Sequence, residues 1–393
     1  MSVIDALRSR GTATRTELAR ATGLSRTTVA TVVGELQACG LVVEETERDA
    51  RPVASSRGRK AAILRLDASA GAVLGVDFGH SHVRVAVADL SSTVLAERYQ
   101  RLEVDTDAAR ALDAACDLVA EALVAAGVDR SRVVAAGMGI PGPIDRRTNT
   151  PSPAILPGWS GLQPGPELAR RLDLHVEVDN DANLGAFGEL SFGAGRGLSD
   201  LVYLKHSTGI GAGIVLDGRI HRGAFGMAGE LGHVQVREEG DVCQCGNRGC
   251  LETVAAAPAL FRALAPAHGP ELTLPQLLQL LTDGDFGVRR VVNDAGRAAG
   301  RVLADVCNVI NPEAIVVGGD LSRAGEPLLS GIREAIGRYA LPGVADAVEV
   351  KAGVLGERAE VLGALALVIG DTERLRSAGL VALHETGIVS GAR

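Results

Sequence analysis

Between Gly226 and Glu252 the chain reads GMAGELGHVQVREEGDVCQCGNRGCLE. No other stretch restricts the fold as much. It gathers His233, Cys243, Cys245 and Cys250, so one histidine stands with three of the chain's six cysteines. A closed structural zinc site takes four nitrogen or sulfur ligands at the corners of a tetrahedron. One His followed by Cys-x-Cys-x4-Cys supplies that count. Gly246 and Gly249 free the backbone to aim three sulfurs at one point. The alternatives are three buried free thiols or a disulfide. A disulfide does not persist in a reducing cytosol, and it would leave one of the three thiols unpaired. The spacing predicts bound Zn2+ in a structural role.

Two carboxylates are interleaved with these ligands. Glu230 lies three residues before His233, and Glu252 lies two after Cys250. The metal needs neither of them. Folding around it would bring both near one spot, as in a polar-ligand site braced by the ion. The other reading is two solvated surface carboxylates, the usual fate of Glu. GMAGELGH followed by CQCGNRGCLE resembles the signature of the ROK family, a group of bacterial sugar kinases and sugar-linked repressors. The resemblance implies zinc at His233, Cys243, Cys245 and Cys250. It also implies that Glu230, His233 and Glu252 hydrogen-bond sugar hydroxyls.

A chain of 393 residues suffices for two or three domains. Aromatic residues are only 3% of it, so its cores must be built from Ala, Val, Leu and Ile. The start, MSVIDALRSRG, lacks the apolar stretch of a signal peptide, and no apolar run reaches the length of a membrane span. A cytoplasmic location and no membrane partner are expected. Charge is uneven. Residues 1–70 carry 11 Lys and Arg against 8 Asp and Glu, and the remaining 323 carry 29 against 40. A mildly basic head on an acidic body is the pattern expected when only the head touches DNA.

That head reads as helix, turn, helix from Thr16 to Leu36. Leu18, Ala19 and Leu24 supply apolar contacts, and Gly23 sits at the reversal. Ser25 suits the N-cap of the second helix. Val29, Val32, Val33 and Leu36 follow helical spacing and form its buried face. Ser25, Arg26, Thr27 and Thr31 are left to reach phosphates and base edges. A strand from Gly40, a basic stretch with Arg57, Arg59 and Lys60, and a strand from Ala61 to Leu66 read as a wing on the DNA backbone or minor groove. An ordinary helical or protein-docking module remains an alternative. The segment also resembles the winged head of ROK regulators, which the family's plain kinases lack.

Gly75 to Leu90 reads as a β-hairpin opening a sheet. In actin-like kinases an Asp-x-Gly turn of this kind faces the ATP phosphates, which would involve Asp77, Gly79 and Ser81. ROK kinases typically carry Asp-x-Gly-Gly-Thr-Lys here. This chain has Asp77-Phe-Gly79-His80-Ser81-His82. His80 puts bulk where backbone must approach phosphate, and His82 removes a Lys charge. A plain hairpin remains open. The later turn, STGIGAG, resembles the family's second phosphate turn, with Thr208, Gly209 and Gly211. Between the two turns, the strand from Val176 delivers Asn180 and Asp181, with a helix expected from Leu184. An Asx-turn or N-cap would explain this NDAN as well. It also matches the ROK motif, which implies that Asn180 holds the sugar and that Asp181 is the catalytic base of a kinase. A long helix from Val291 to Ile310, a buried strand around Val316, a GGD turn ending at Asp320 and a helix from Ala359 to Ile369 follow.

The expected fold is α/β. A winged helix-turn-helix over residues 1–70 precedes a two-lobed actin-like, ribonuclease H-like body with a structural zinc site. The first lobe spans 71–183 and is completed by the C-terminal helix, 357–393. The second spans 184–356. The leading function is a DNA-binding regulator of carbohydrate metabolism, a repressor and not an enzyme. It would sense a sugar or sugar phosphate and bind operator DNA as a homodimer or homotetramer. The alternative is an ATP-dependent hexose kinase with a DNA head, which would need ATP and Mg2+. A zinc-braced scaffold with no small ligand is the third reading.

Overall fold

A computed structural model of the protein describes residues 3–38, 40–44 and 62–370. The head begins with helix α1 (Val3–Arg10), which the sequence reading did not anticipate, and the short strand β1 (Thr12–Thr14). Thr14 caps α2 (Arg15–Thr22) in a capping box with Glu17, and Gly23 ends it at φ 71°. Ser25 accepts a hydrogen bond from Thr28 N at 3.1 Å and so caps α3 (Arg26–Ala38). Strands β2 (Val42–Glu44) and β3 (Ile63–Leu66) complete a three-stranded antiparallel sheet in the order β1-β3-β2. Leu18, Val29, Val33 and Leu36 are fully buried, and Val32 is half-buried. Leu24 departs from expectation. It is 40% exposed, because it lies in the turn between Gly23 and the Ser25 cap, outside both buried helix faces. The proposed wing residues Arg57, Arg59 and Lys60 lie outside the described residues, as does the chain from Asp371.

The body holds two five-stranded sheets. The first comprises β4 (Ala72–Gly79), β5 (His82–Asp89), β6 (Val94–Arg101), β7 (Val133–Ile140) and β10 (Val176–Asn180). Helix α4 (Ala108–Ala126) precedes β7; the ribbon β8 (Ile144–Asp145) and β9 (Thr150–Pro151), then α5 (Pro164–Leu172), lie between β7 and β10. Helix α6 (Asp181–Phe192) leads onward to β11 (Leu201–His206), β12 (Ile210–Leu216) and β13 (Arg219–Ile220). After the cysteine-rich loop come α7 (Leu251–Ala255), α8 (Ala257–His268), α9 (Leu274–Thr282) and α10 (Phe286–Ile310). Strand β14 (Ala314–Gly318), α11 (Glu326–Tyr339), α12 (Pro342–Ala347), β15 (Glu349–Ala352) and α13 (Ala359–Ile369) complete the chain.

The sheets run β6-β5-β4-β7-β10 and β13-β12-β11-β14-β15. Each therefore has two antiparallel hairpin steps followed by two parallel additions. The same wiring occurs twice. Parallel strands need crossovers, and the helices that supply them cover the sheets and make their strands apolar on both faces. All eight residues of β4 are buried. Helices α6 and α13 pack together where the halves meet. A Cβ at Gly188 would come within 3.1 Å of Gly363 N, so only glycine permits that approach.

One apolar cluster joins head to body. Ile4, Leu7, Leu18, Val29 and Leu36 pack continuously with Leu64, Val73, Ala86, Leu365, Val368 and Ile369. Arg8 Nη2 also donates to the Ile369 carbonyl at 3.2 Å.

Candidate functional site

The Asn180 side chain caps α6. Its Oδ1 accepts from Ala182 N at 2.8 Å and from Asn183 N at 3.2 Å. This cap starts the helix at Asp181, three residues before the Leu184 start read from sequence. The motif's Asn therefore serves as an N-cap, and its amide nitrogen is the group left to donate. The Asp181 carboxylate accepts from Lys205 Nζ at 2.8 Å, and the same ammonium lies 3.1 Å from Glu360 Oε1. Asp179, one strand position before Asn180, holds Arg222 Nε at 2.6 Å and Asn183 Nδ2 at 2.8 Å.

Glu230 comes close to the same place. Burial, with the Asp181 and Glu252 carboxylates nearby, lifts its carboxyl to about 7. Its Oε2 is 3.8 Å from His233 Nε2. Glu252 accepts from Ile210 N at 3.3 Å and from Gln244 Nε2 at 3.2 Å. The fold thus draws Asp181, Glu230, His233 and Glu252 around one cleft, as the motifs lead one to expect. Such a set of acceptors suits a ligand rich in hydroxyls.

Behind the two glutamates the donor atoms of His233, Cys243, Cys245 and Cys250 all lie within 4.8 Å of one another. Four-coordinate zinc, with bonds of about 2.3 Å to sulfur and 2.0 Å to nitrogen, implies edges of about 3.8 Å between sulfurs and about 3.5 Å from nitrogen to sulfur. Cys245 and Cys250 Sγ are 3.7 Å apart, and Cys243 Sγ is 3.5 Å from His233 Nδ1. The cluster fits a bound metal ion. Gly249 at φ 68° permits the turn that brings Cys250 back beside Cys245.

The first turn read for phosphate is filled by side chains. His82 Nε2 lies 3.1 Å from Asp77 Oδ2, and His80 Nδ1 lies 2.9 Å from Asp105 Oδ1. A Cβ on Gly79 would run into the His82 ring. Ser81 is exposed at the tip. The second turn is open. Thr208 is exposed, Gly209 packs against Glu252, and Gly211 packs against Ala182. The Ser207 hydroxyl donates to Asp320 in the GGD turn.

In the head, Ser25 at the cap of α3 and Arg26, Thr27 and Thr31 within it are all exposed, with Thr27 and Thr31 on the face opposite Val29 and Val33. They form a polar surface free to meet another molecule.

Sequence reading missed Lys205, Glu360, Asp179 and Arg222. Two signals existed. Lys205 is the only Lys, Arg, Asp or Glu in the apolar strand LVYLKH, and Glu360 is the only one in the apolar helix AEVLGALALVI. Tyr203 is also buried beneath the cleft, with no hydrogen-bond partner for its hydroxyl among the described residues.

A sequence profile described as "ROK family" matches residues 73–371, and one described as "MarR family" matches residues 1–52. The chain is 30% identical over 370 residues to a "Xylose repressor" of Caldicellulosiruptor bescii, across 91% of this chain and 92% of that one. The crystal structure of a ROK family transcriptional regulator, a homolog of E. coli MLC protein, superposes with a TM-score of 0.79 at 28% identity, covering 98% of this chain and 97% of the other. A ROK family glucokinase from Streptomyces griseus, solved with glucose and AMPPNP, gives a TM-score of 0.67 at 31% identity. That match covers 76% of this chain and 99% of the kinase.

Proposed function

The chain belongs to the ROK family, and from that membership we propose that it is a sugar-responsive, DNA-binding transcriptional repressor of carbohydrate metabolism. The observation that carries this reading is the apolar cluster from Ile4 to Ile369, which makes one packed unit of the helix-turn-helix head and the cleft-bearing body. A ligand that prefers one arrangement of the body can then bias the head. In this reading Ser25, Arg26, Thr27 and Thr31 face operator DNA, and Arg57, Arg59 and Lys60 of the basic segment add contacts to it. A dimer or tetramer acting in the cytoplasm would present paired heads to paired half-sites. Asn180, Asp181, Glu230, His233 and Glu252 take the sugar. Zn2+ at His233, Cys243, Cys245 and Cys250 holds Glu230 and Glu252 in place. Asp181, Glu230 and Glu252 bring three carboxyl groups into the cleft against the single ammonium of Lys205, which favours a neutral sugar over a sugar phosphate.

The test is selection of DNA fragments by the full chain from a random pool, followed by binding with and without glucose, xylose and their phosphates. Enrichment of one sequence that a neutral sugar releases is the expected result. Failure to enrich any sequence would overturn the proposal.

The second reading, an ATP-dependent sugar kinase with Asp181 as general base, draws on the open turn at Thr208, Gly209 and Gly211. A coupled assay with hexoses, ATP and Mg2+ decides it, and turnover on the order of 1–100 per second would favour the kinase.

A further inference from the structure

Lys205 and Glu360 need a reason to exist. Each stands alone among apolar neighbours, in β11 and α13 respectively. Their side chains are 19% and 7% exposed. Taking charges out of water is costly, and apolar residues of similar size would fill such positions at least as stably. The ammonium divides itself between Asp181 Oδ2 at 2.8 Å and Glu360 Oε1 at 3.1 Å. Asp181 belongs to the proposed sugar site. Glu360 belongs to the first turn of α13, and the far end of α13 is in the head's core.

That far end is well anchored. Val368 and Ile369 pack with Ile4 and Leu7 of α1, and the Ile369 carbonyl accepts from Arg8. Over eleven residues α13 spans about 16 Å as a single rod. Its flanks are fixed by α6, β4 and β7, with Gly363 against Leu184 and Gly75 against Leu365. Close packing of this kind transmits small shifts instead of absorbing them.

We propose that Lys205 reports occupancy of the cleft to the DNA-binding head through Glu360 and α13. The inference rests on the sugar-responsive reading given above. A sugar hydroxyl that donates to Asp181 competes with the ammonium for the same carboxylate. Lys205 then turns its charge toward Glu360, which pulls on the first turn of α13. The pull reaches α1 through Val368 and Ile369. Bound and free cleft therefore favour different seats for the head, and the pair Lys205–Glu360 makes the difference.

The experiment uses the full chain, a DNA fragment it has itself selected, and glucose and xylose as probes. Glu360→Gln keeps the shape of the side chain and leaves every proposed sugar contact in place. The parent is expected to lose DNA affinity by at least about fivefold on adding the active sugar. The variant should bind that sugar within about threefold of the parent by calorimetry, a difference below one decade of affinity. Its DNA affinity should change by less than about twofold, a coupling below the usual range. A variant that releases DNA as the parent does would overturn the inference alone. A parent that no sugar affects would overturn the functional reading beneath it. Hydrogen exchange on the unaltered protein gives a second test that does not depend on the variant folding. Amides of α13 and α1 should change protection when sugar is added. Release of DNA with both helices unchanged would sink the proposal.

Discussion

His82 Nε2 lies 3.1 Å from Asp77 Oδ2, and this contact closes the first turn of the body on its own side chains. His82 is further held by stacking on Tyr99 at 5.6 Å between ring centroids. An anion approaching the turn would have to displace that ring and face a buried carboxylate. Backbone N–H groups bind phosphate only where nothing bulky stands before them.

Weak nucleotide binding follows. Calorimetry with AMPPNP and Mg2+ is expected to give a dissociation constant weaker than about 1 mM. Replacing His80→Gly together with His82→Lys should tighten it by at least about tenfold, since one restored cationic contact is worth about 1.5–3 kcal/mol and about 1.4 kcal/mol is one decade. Micromolar binding by the parent would show that the histidines leave the turn accessible.

His80 gives a dependence on pH. Burial opposes its protonation, but the hydrogen bond and charge of Asp105 prevail, so the imidazole titrates above its ordinary 6.5. A raised value in the folded state means that protonated His80 stabilises the fold. That contribution is complete below pH 6.5 and is lost as pH climbs through the raised value. Between about pH 6 and 8 the parent's melting temperature should fall more steeply than that of His80→Ala. Parallel slopes would show that the pair, with the His80 side chain 38% exposed, contributes nothing measurable.

How far these sites were legible in the sequence depended on whether their chemistry is local. His233, Cys243, Cys245 and Cys250 could be grouped from sequence because they fall in one short stretch, and the fold brings their donor atoms within 4.8 Å of one another. Glu230 and Glu252 came with them. Asn180 and Asp181 were legible as a motif, yet the helix start was placed late, because NDAN allows an Asx-turn as well as an N-cap and only the bonds from Ala182 N and Asn183 N to Asn180 decide between them. Lys205 and Glu360 escaped. They lie 155 positions apart in the numbering, and each looks like an isolated charge in an apolar segment until topology brings them together. Helix α1 escaped because it owes its burial to tertiary contacts, and eight residues make a marginal helix alone. Leu24 failed for the converse reason. It is apolar, but the turn leaves it outside both helix faces.

The metal cluster makes a separate prediction. Burial, together with the neighbouring Cys245 and Cys243, holds the Cys250 thiol up to about 12 without a metal, so a cation must displace its proton. Cys245 is the exposed member of the cluster, and its loss disturbs packing least. Cys245→Ser is expected to lower zinc from about one ion per chain to a small fraction of that, read by elemental analysis. Sugar affinity should fall by about 10- to 100-fold, because Glu230 and Glu252 lose their brace. Full zinc content in the variant would remove Cys245 from the ligand set.

Trp159 tests how the body is held together beneath the first turn. It is the chain's only tryptophan and is fully buried, although the stretch around it, PSPAILPGWSGLQPGP, is rich in proline and glycine. Its Nε1 donates to the Val104 carbonyl at 2.8 Å, and its ring meets Phe78 edge-on at 5.4 Å between centroids. Phe78 is the residue between Asp77 and Gly79, so the indole supports the turn from below. Trp159→Phe should cost about 1–3 kcal/mol, chiefly by leaving the Val104 carbonyl unpaired. Trp159→Ala should cost about 3–5 kcal/mol by opening a cavity. Denaturant titration followed by far-ultraviolet circular dichroism measures both without relying on the removed fluorophore. In the parent, Trp159 emission should be blue-shifted and shielded from acrylamide, because the ring sits in the core. Solvent-quenched emission, with a cost to Trp159→Ala below about 1 kcal/mol, would mean that the loop is a surface connection after all.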